Sequence, residues 1–301
     1  MARGKQPGKV QRAPKVHRAV VTHTVGDFEA AFWPDEQPVD NAVVMTMGAL
    51  HEGHAALVRA ARKQVGRDGR VAVTVFVNPL QFGADEDLER YPRDLDADVR
   101  LAEENGADVV FAPSVDEVYP NGEPQVRLTA GPMGDRFEGT TRPGHFDGVL
   151  TVVAKLLHIT DPDFALFGEK DAQQLAVIQR MVADLDFDVE IIGVPTVREE
   201  DGLALSSRNR YLSAEDRAHA LALSKALFAG RDVAAQGPKA VREAAAAALD
   251  GAEGVALDYL ALIDPHDFTE VADDFQGGAV LAVAAKVGTT RLIDNVHVIC
   301  R

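Results

Sequence analysis

Short apolar runs alternate with amphipathic helical patterns between residues 42 and 112, and this alternation limits the possible folds more than any other feature of the sequence. The runs at 42–46, 71–77 and 108–112 are apolar and mostly β-branched, which is typical of buried strands. A helical pattern at about 53–65 follows the first run, and a second one stops at Asn105-Gly106. Strands separated by helices predict parallel βαβ units with right-handed crossovers.

The same pattern continues to about residue 194 and then changes. Helices are predicted at 148–158 and 171–185, and strands at 164–167 and 189–194. Beyond residue 197, Ser213 and Asp216 resemble a capping box at the start of a helix. An alanine-rich helix at 240–249 precedes alternating strands at 256–263, 279–287 and 290–298, of which the last two resemble a hairpin. We therefore predict a flexible basic tail at 1–16, an α/β domain at 17–196 and a smaller α+β domain at 197–301.

Charge is distributed unevenly along the chain. The formal net charge is −16, yet residues 1–18 carry six basic side chains and no acidic one. The remainder is therefore more acidic than the whole, which argues against a nucleic-acid-binding body. The single cysteine, Cys300, excludes an intramolecular disulfide, and no apolar run is long enough for a membrane helix or a secretory signal. We expect a cytoplasmic protein without nucleic-acid or membrane partners.

The stretch Thr46-Met-Gly-Ala-Leu-His-Glu-Gly-His54 lies where the strand at 42–46 ends and a helix begins. Open α/β sheets bind ligands at this end of their strands, and free N–H groups at a helix N-terminus attract phosphate. His51 and His54 are three residues apart, so both rings can donate hydrogen bonds to phosphate oxygens there. From the spacing alone, zinc ligation and an ordinary surface position remain alternatives, although the H-E-x-x-H spacing is absent.

The wider sequence resembles the pantothenate synthetase (pantoate–β-alanine ligase) family of the nucleotidylyltransferase superfamily. Thr46–His54 resembles its H-x-G-H element, and further segments resemble the family in the same order over about residues 42–299. They are 76–83 (FVNPLQFG), 91–93 (YPR), 142–149 (RPGHFDGV), 167–171 (FGEKD) with Gln173-Gln174, 205–212 (LSSRNRYL) and 288–295 (GTTRLIDN). The resemblance implies a Rossmann-like parallel-sheet N-terminal domain and a smaller α+β C-terminal lid domain.

The family resemblance also implies a reaction. ATP, (R)-pantoate and β-alanine would give pantothenate, AMP and pyrophosphate in the presence of Mg²⁺, through a pantoyl-adenylate intermediate. A carboxylate nucleophile needs no general base, so the protein has to supply positioning and charge stabilisation. A homodimer is the assembly that the resemblance implies.

Residue roles follow from the matching motifs. The resemblance implies that His51, His54 and Lys170 are catalytic, with the histidines on the ATP phosphates and Lys170 on the pentavalent α-phosphoryl group. The ATP-binding residues that it implies are Thr46, Met47, Gly48, His51, Gly53, His54, Gly168, Lys170, Asp171, Val197, Leu205, Ser206, Ser207 and Arg208. Residues 206–208 correspond to the family's mobile phosphate-binding loop.

Pantoate is expected to bind amide side chains, because an amide donates and accepts hydrogen bonds at once and so suits a polyhydroxy acid. By resemblance, the pantoate-binding residues are Met47, Asn78, Gln81 and Gln174. For Mg²⁺, Asp98 matches best the acidic residue that follows the Tyr-Pro-Arg segment, with a charged helix face as the alternative.

The chain departs from the family pattern at three positions. Met45 replaces a proline, Ala172 an aromatic residue and Leu205 a methionine. None of these changes removes a polar group assigned to chemistry, so we expect an active enzyme. Two other hypotheses are a nucleotidylyltransferase acting on a phosphorylated acceptor and a catalytically silent nucleotide-binding protein.

Overall fold

The computed structural model describes residues 18–33, 39–83, 88 and 91–301. The predicted basic tail at 1–16 lies outside these residues. The strands are β1 (Val20–Thr22), β2 (Asn41–Thr46), β3 (Arg70–Val75), β4 (Val109–Phe111), β5 (Phe164–Gly168), β6 (Glu190–Val194), β7 (Val255–Asp264), β8 (Thr269–Glu270), β9 (Gly277–Val287) and β10 (Thr290–Cys300). The helices are α1 (Val25–Phe32), α2 (Glu52–Val65), α3 (Leu95–Glu104), α4 (Val115–Val118), α5 (Gly131–Gly134), α6 (Glu138–Thr141), α7 (His145–Thr160), α8 (Ala172–Asp184), α9 (Ala214–Asp232) and α10 (Pro238–Leu249). Short 3-10 turns occupy Pro79–Gln81, Glu169–Asp171, Ser207–Tyr211 and Ala234–Gln236.

Strands β1 to β6 form one parallel sheet in the order β1-β4-β3-β2-β5-β6. The chain runs from β2 outward through β3, and then returns to place β5 on the other side of β2. This reversal is a topological switch point, where the C-terminal ends of neighbouring strands leave a crevice for a ligand. The predicted α/β class is confirmed.

Apolar side chains fill both faces of this sheet. On one face, Phe28, Phe111 and Ile178 are fully buried in the largest core cluster. On the other face, Val44 and Val58 belong to a second cluster, in which α2 packs on β2 and β5. Parallel strands covered by helices on both faces explain the continuous apolar runs in the sequence.

Strands β7 to β10 form a separate antiparallel sheet in the order β10-β9-β7-β8. Helices α9 and α10 pack against it, with Leu227, Leu262 and Leu281 fully buried among them. The predicted hairpin is confirmed, because Val287 pairs with Thr290 across Gly288-Thr289. The predicted cap of α9 is confirmed as well, because the Ser213 side chain accepts the N–H of Asp216 at 3.0 Å.

Several boundaries differ from the sequence prediction. The run at 42–46 is the second strand rather than the first, because β1 and α1 precede it; a three-residue edge strand has too little periodicity to be recognised. Helix α7 begins at His145, three residues before its predicted start. Strand β3 ends at Val75 instead of 77, so Asn78 caps the following 3-10 turn. Within the described residues, no helix combines the length and hydropathy needed to cross a membrane.

Candidate active site

A cleft of about 880 Å³ opens at the C-terminal ends of β2, β3, β5 and β6, at the switch point. The antiparallel sheet and the segment that precedes α9 form its opposite wall. Almost all the residues predicted from sequence line this cleft. They are Thr46, Met47, His51, Gly53, His54, Asn78, Gln81, Gly168, Lys170, Asp171, Gln174, Val197, Leu205, Ser206, Ser207 and Arg208. Gly48 and Asp98 lie behind this lining and are close to each other.

The side chain of Asp98 holds the loop after β2 by hydrogen bonds to its backbone. Its buried carboxylate accepts the N–H of Leu50 at 2.7 Å and that of Ala49 at 3.1 Å. Burial raises the pKa of Asp98, against the lowering effect of these two donors. Gly48 has a φ of +84°, and a Cβ there would lie 2.9 Å from the Asp98 carboxylate, so a side chain is excluded both by conformation and by space. The structure shows Asp98 anchoring this loop, and its predicted role as a metal ligand stays a prediction.

The two histidines form the N-terminus of α2. His51 Nδ1 accepts the N–H of Gly53 at 3.1 Å, and His54 Nδ1 accepts the N–H of His51 at 3.2 Å, which is a reciprocal capping box. A ring nitrogen that accepts carries no proton, so each neutral imidazole bears its proton on Nε2. The two rings lie with centroids 4.2 Å apart and line the cleft, so the alternative of an ordinary surface position is not met.

Burial and neighbouring cations keep both rings uncharged near neutral pH. Burial, followed by the charge of Lys170, lowers the pKa of His51. Burial together with the proximity of His51 lowers the pKa of His54 to about 3. The pair therefore offers neutral N–H donors, added to the partial positive charge of a helix N-terminus.

Lys170 and Asp171 follow β5 on the 3-10 turn Glu169–Asp171. The Asp171 side chain is open to the cleft, yet protein surrounds it. This enclosure would raise the pKa of Asp171, but the positive charges of Lys170 and Arg208 outweigh it and hold the pKa below its ordinary value. The cleft thus contains an ionised carboxylate between two cations, on the side facing the histidines.

The segment that carries Arg208 returns to the end of β6. The N–H of Leu205 donates to Val197 O at 2.9 Å, which brings these two predicted residues together. Ser206 caps the next 3-10 turn by accepting the N–H of Arg208 at 3.2 Å. Arg208 is thereby placed on the same cleft as Lys170, on a segment far away in sequence.

The amides of Asn78 and Gln81 are oriented by a chain of hydrogen bonds. Asn78 Nδ2 donates to the carbonyl of Gly148 at 3.1 Å, which fixes the direction of that amide, and also to Gln81 Oε1 at 3.2 Å. The Tyr119 hydroxyl donates to Asn78 Oδ1 at 2.9 Å. Gln81 Nε2 then lies 2.7 Å from Met47 Sδ, on the cleft side. Gln174 lines the cleft from α8 and takes no part in this chain.

Sequence reasoning missed two lining residues at the start of α7. Arg142 Nη1 lies 3.0 Å from His145 Nε2, and His145 Nδ1 lies 2.9 Å from the carbonyl of Gln81. Because a carbonyl only accepts, His145 carries its proton on Nδ1 and accepts from Arg142 on Nε2. Both residues belong to the RPGH motif, which was recognised in the sequence without any role being assigned to them.

Ion pairs join the two walls of the cleft. Arg291 on β10 donates to both carboxylate oxygens of Glu138 on α6, at 2.6 and 2.8 Å, and to Asp258 at 2.6 Å. The Tyr259 hydroxyl donates to Glu138 at 3.0 Å, and burial together with this carboxylate raises the pKa of Tyr259. The three departures from the family pattern, Met45, Ala172 and Leu205, also line the cleft.

Fold and cleft together define an α/β protein whose cleft, at the switch point of a parallel sheet, is lined by cationic side chains and a helix N-terminus and so suits an anionic ligand. The family model described as pantoate-beta-alanine ligase matches residues 21–297. The chain belongs to this family, and it is an acid–amine ligase of that kind.

Similar proteins and solved structures agree with this assignment. The chain is 60% identical to the pantothenate synthetase of Streptomyces avermitilis, over 85% of this chain and 91% of the relative. It is 57% identical to pantothenate synthetase 4 of Frankia alni, over 96% and 92%. The crystal structure of pantothenate synthetase from Thermus thermophilus matches with a TM-score of 0.84 and 48% identity, over 92% and 98% of the two chains. A pantoate-beta-alanine ligase from Francisella tularensis, complexed with beta-gamma ATP and beta-alanine, matches with a TM-score of 0.73 and 31% identity, over 92% and 97%.

Proposed function

We propose that the protein condenses (R)-pantoate with β-alanine at the expense of ATP, through a pantoyl-adenylate intermediate. The observation that carries the proposal is the meeting of three groups in one cleft: neutral histidine donors on a helix N-terminus, the cations Lys170 and Arg208, and the oriented amides of Asn78 and Gln81. The Francisella tularensis relative, crystallised with a form of ATP and with beta-alanine, supports both ligands for this chain.

In the first step, a pantoate carboxylate oxygen attacks the α-phosphorus of ATP and the bond to the pyrophosphate oxygen breaks. Lys170 offsets the charge that develops on the pentavalent α-phosphoryl group, while Nε2–H of His51 and of His54 donates to phosphate oxygens. Arg208 with Ser206 and Ser207 holds the outer phosphates. A neutral imidazole remains a donor throughout and does not have to lose a proton.

In the second step, the amine of β-alanine attacks the carbonyl carbon of the mixed anhydride. The bond to the AMP oxygen breaks, and the nitrogen loses a proton as the amide forms. Asn78, Gln81 and Gln174 hold the pantoyl group so that the carbonyl stays in reach of the amine. Within the cleft, Gln81 Nε2 supplies a donor for a pantoate oxygen, because its own oxygen is already bonded to Asn78.

Magnesium enters this proposal as part of the MgATP substrate. Among the described residues, no group of three His, Cys, Asp or Glu side chains is arranged to hold an ion. Each oxygen of Asp98 accepts one backbone N–H group and keeps a second lone pair, so the Mg²⁺ contact that the sequence suggested stays a prediction. Mg²⁺ is commonly held by substrate phosphates with few protein ligands, and no step is assigned to a magnesium site of the protein's own.

Release of AMP from MgATP, with the two acids supplied singly and together, tests the overall reaction. Sustained release that requires both acids is the expected result. Exchange of labelled pyrophosphate into ATP, measured with pantoate and without β-alanine, tests the adenylate. No exchange, despite turnover with both acids, would exclude a free adenylate step; transfer of AMP to a phosphorylated acceptor would favour a nucleotidylyltransferase.

We further propose a homodimer in the cytoplasm and a domain boundary near residues 196–197, as the family resemblance implies. The parallel sheet ends at Val194 and the antiparallel sheet begins at Val255, which supports the boundary. Sedimentation velocity should give twice the mass of the 301-residue chain. A monomer at assay concentration would contradict the proposed assembly.

A further inference from the structure

Asn295 on β10 reaches out of the antiparallel sheet to the turn that carries Lys170. The side chain is 4% exposed, and its Nδ2 donates to the carbonyls of Glu169 and of Lys170, both at 2.8 Å. A planar NH₂ group supplies two donors in a fixed geometry, so a single side chain holds two successive peptide groups of the turn.

Asn295 is itself firmly placed. Its N–H donates to Asp294 Oδ1 at 2.7 Å, and its carbonyl accepts from Arg198 Nη2 at 3.1 Å. Arg198 grips both oxygens of the buried Asp294 carboxylate, at 2.6 and 2.9 Å. A bidentate guanidinium–carboxylate pair of this kind is geometrically specific.

The same arginine also reaches the segment that carries the second cation. Arg198 Nη1 donates to the carbonyl of Gly202 at 3.1 Å, a few residues before the Leu205–Arg208 segment. One assembly (Arg198, Asp294 and Asn295) therefore contacts both the turn that carries Lys170 and the chain that leads into the segment of Arg208. It belongs to the wall of the cleft opposite the histidines.

We propose that Asn295 is a positioning residue for adenylate formation. It holds the Glu169–Asp171 turn so that the Lys170 ammonium points at the α-phosphoryl group. The inference rests on the proposed role of Lys170. A displacement of about 1 Å at a charge-stabilising group costs on the order of 100-fold in rate. The turn is a 3-10 helix of only three residues, so it has few hydrogen bonds of its own to prevent such a displacement.

The test is a double-variant cycle with Asn295→Asp and Lys170→Arg. Asn295→Asp is nearly isosteric but replaces the NH₂ group, which supplies both donors, by a carboxylate oxygen that repels the two carbonyls. Pantoate-dependent pyrophosphate exchange measures adenylate formation directly. We expect Asn295→Asp to lower its maximal rate about 10- to 100-fold and to leave the KM for pantoate within about twofold, since the pantoate amides lie on other elements.

The coupling between the effects of the two substitutions on the exchange rate shows whether Asn295 positions Lys170 or only stabilises the fold. Lys170→Arg retains a cation in a different position, so Asn295→Asp should lower the rate by a clearly smaller factor in that background than in the parent. If Asn295→Asp lowers the exchange rate by the same factor in both backgrounds, or does not lower it in the parent, the positioning role of Asn295 is refuted and the proposed role of Lys170 is unaffected. If Lys170→Arg and Lys170→Ala each exchange pyrophosphate at the normal rate, the proposed role of Lys170 itself is refuted.

Asn41→Ala is the matched control. Asn41 is another buried asparagine, 3% exposed, and its Nδ2 donates to Asp163 at 2.7 Å at the opposite end of β2. It should lower the thermal midpoint without changing the exchange rate. If Asn295→Asp does not fold, Asn295→Ser takes its place in the cycle, because it removes the paired donors without adding a charge; the same comparison of factors then applies.

Discussion

Gly148→Ala is expected to disturb the pantoate pocket from behind. Gly148 lies in α7 against the 3-10 turn Pro79–Gln81, and its carbonyl accepts from Asn78. A Cβ at this position would lie 2.2 Å from the carbonyl oxygen of Leu80 and 2.8 Å from Gln81 Cα. Because non-bonded contacts relax only beyond about 3 Å, the turn has to move by about 1 Å.

A shift of that size should lower kcat/KM for pantoate about 100-fold. Overpacking should cost about 1–3 kcal/mol of stability, offset in part by the roughly 1 kcal/mol that alanine gains over glycine in a helix. The KM for ATP should change little, because His51, His54 and Lys170 are carried by β2, α2 and the turn after β5. Steady-state kinetics with each substrate varied in turn, together with urea unfolding, measure both effects.

Gly26→Ala is the control for this experiment. Gly26 is also a helical glycine, in α1, and a Cβ there would meet no atom within 4 Å. It should stabilise the protein by about 0.5–1 kcal/mol and leave the kinetics unchanged. A folded Gly148→Ala variant with parent-like kinetics for pantoate would refute the argument that α7 sets the position of Gln81.

Four further outcomes are expected. Lys170→Ala should abolish pyrophosphate exchange while the circular dichroism spectrum stays unchanged; near-normal exchange would eliminate its role in charge stabilisation. Gln81→Ala should raise the KM for pantoate far more than that for ATP, and equal effects would count against the pocket. Tyr119→Phe removes one hydrogen bond to Asn78 and should raise the KM for pantoate several-fold, with the KM for ATP unaffected, on the scale of about 1 kcal/mol for one hydrogen bond; an unchanged KM would show that the contacts with Gly148, Leu80 and Gln81 are enough to orient that amide. The pKa of His54 is about 3 in the folded protein and 6.5 in the unfolded chain, so below pH 6.5 the unfolded chain binds a proton that the folded protein does not, and stability falls as the pH drops toward 3. Between pH 7 and 5 this lowers the free energy of unfolding by at most about 2 kcal/mol. In urea unfolding over that range, the free energy of unfolding of His54→Gln should fall by correspondingly less.

Local patterns in the sequence are sufficient to predict the class of fold. The alternation of β-branched runs with helical periods indicates a parallel sheet covered on both faces, because a strand buried on both faces needs a continuous run of apolar residues. The short edge strand β1 cannot be predicted from the sequence, because three residues are too few to show a periodic apolar pattern. The start of α7 was placed three residues late, since glycine and proline just before it interrupt the apolar pattern.

Almost all the site residues that the motif resemblance predicts, from Thr46 to Arg208, line one cleft. The resemblance could not predict the contacts of Asp98, because an acidic residue in the first turn of a helix has the same sequence pattern whether it binds a metal ion or the N–H groups of Ala49 and Leu50. The depressed pKa of the two histidines was also out of reach. It depends on burial and on Lys170, more than 100 residues further along the chain.

The sequence by itself therefore predicted which residues would bind the triphosphate and the pantoate. The tertiary structure decided how the side chains of these residues are oriented in the cleft. Asn295, Arg198 and Tyr119 act on the turns and amides of the cleft through hydrogen bonds between residues distant in the chain, at 2.6–3.1 Å. Such contacts leave no periodic trace, because a hydrogen bond depends on the distance and direction between two atoms in space and not on their separation in sequence.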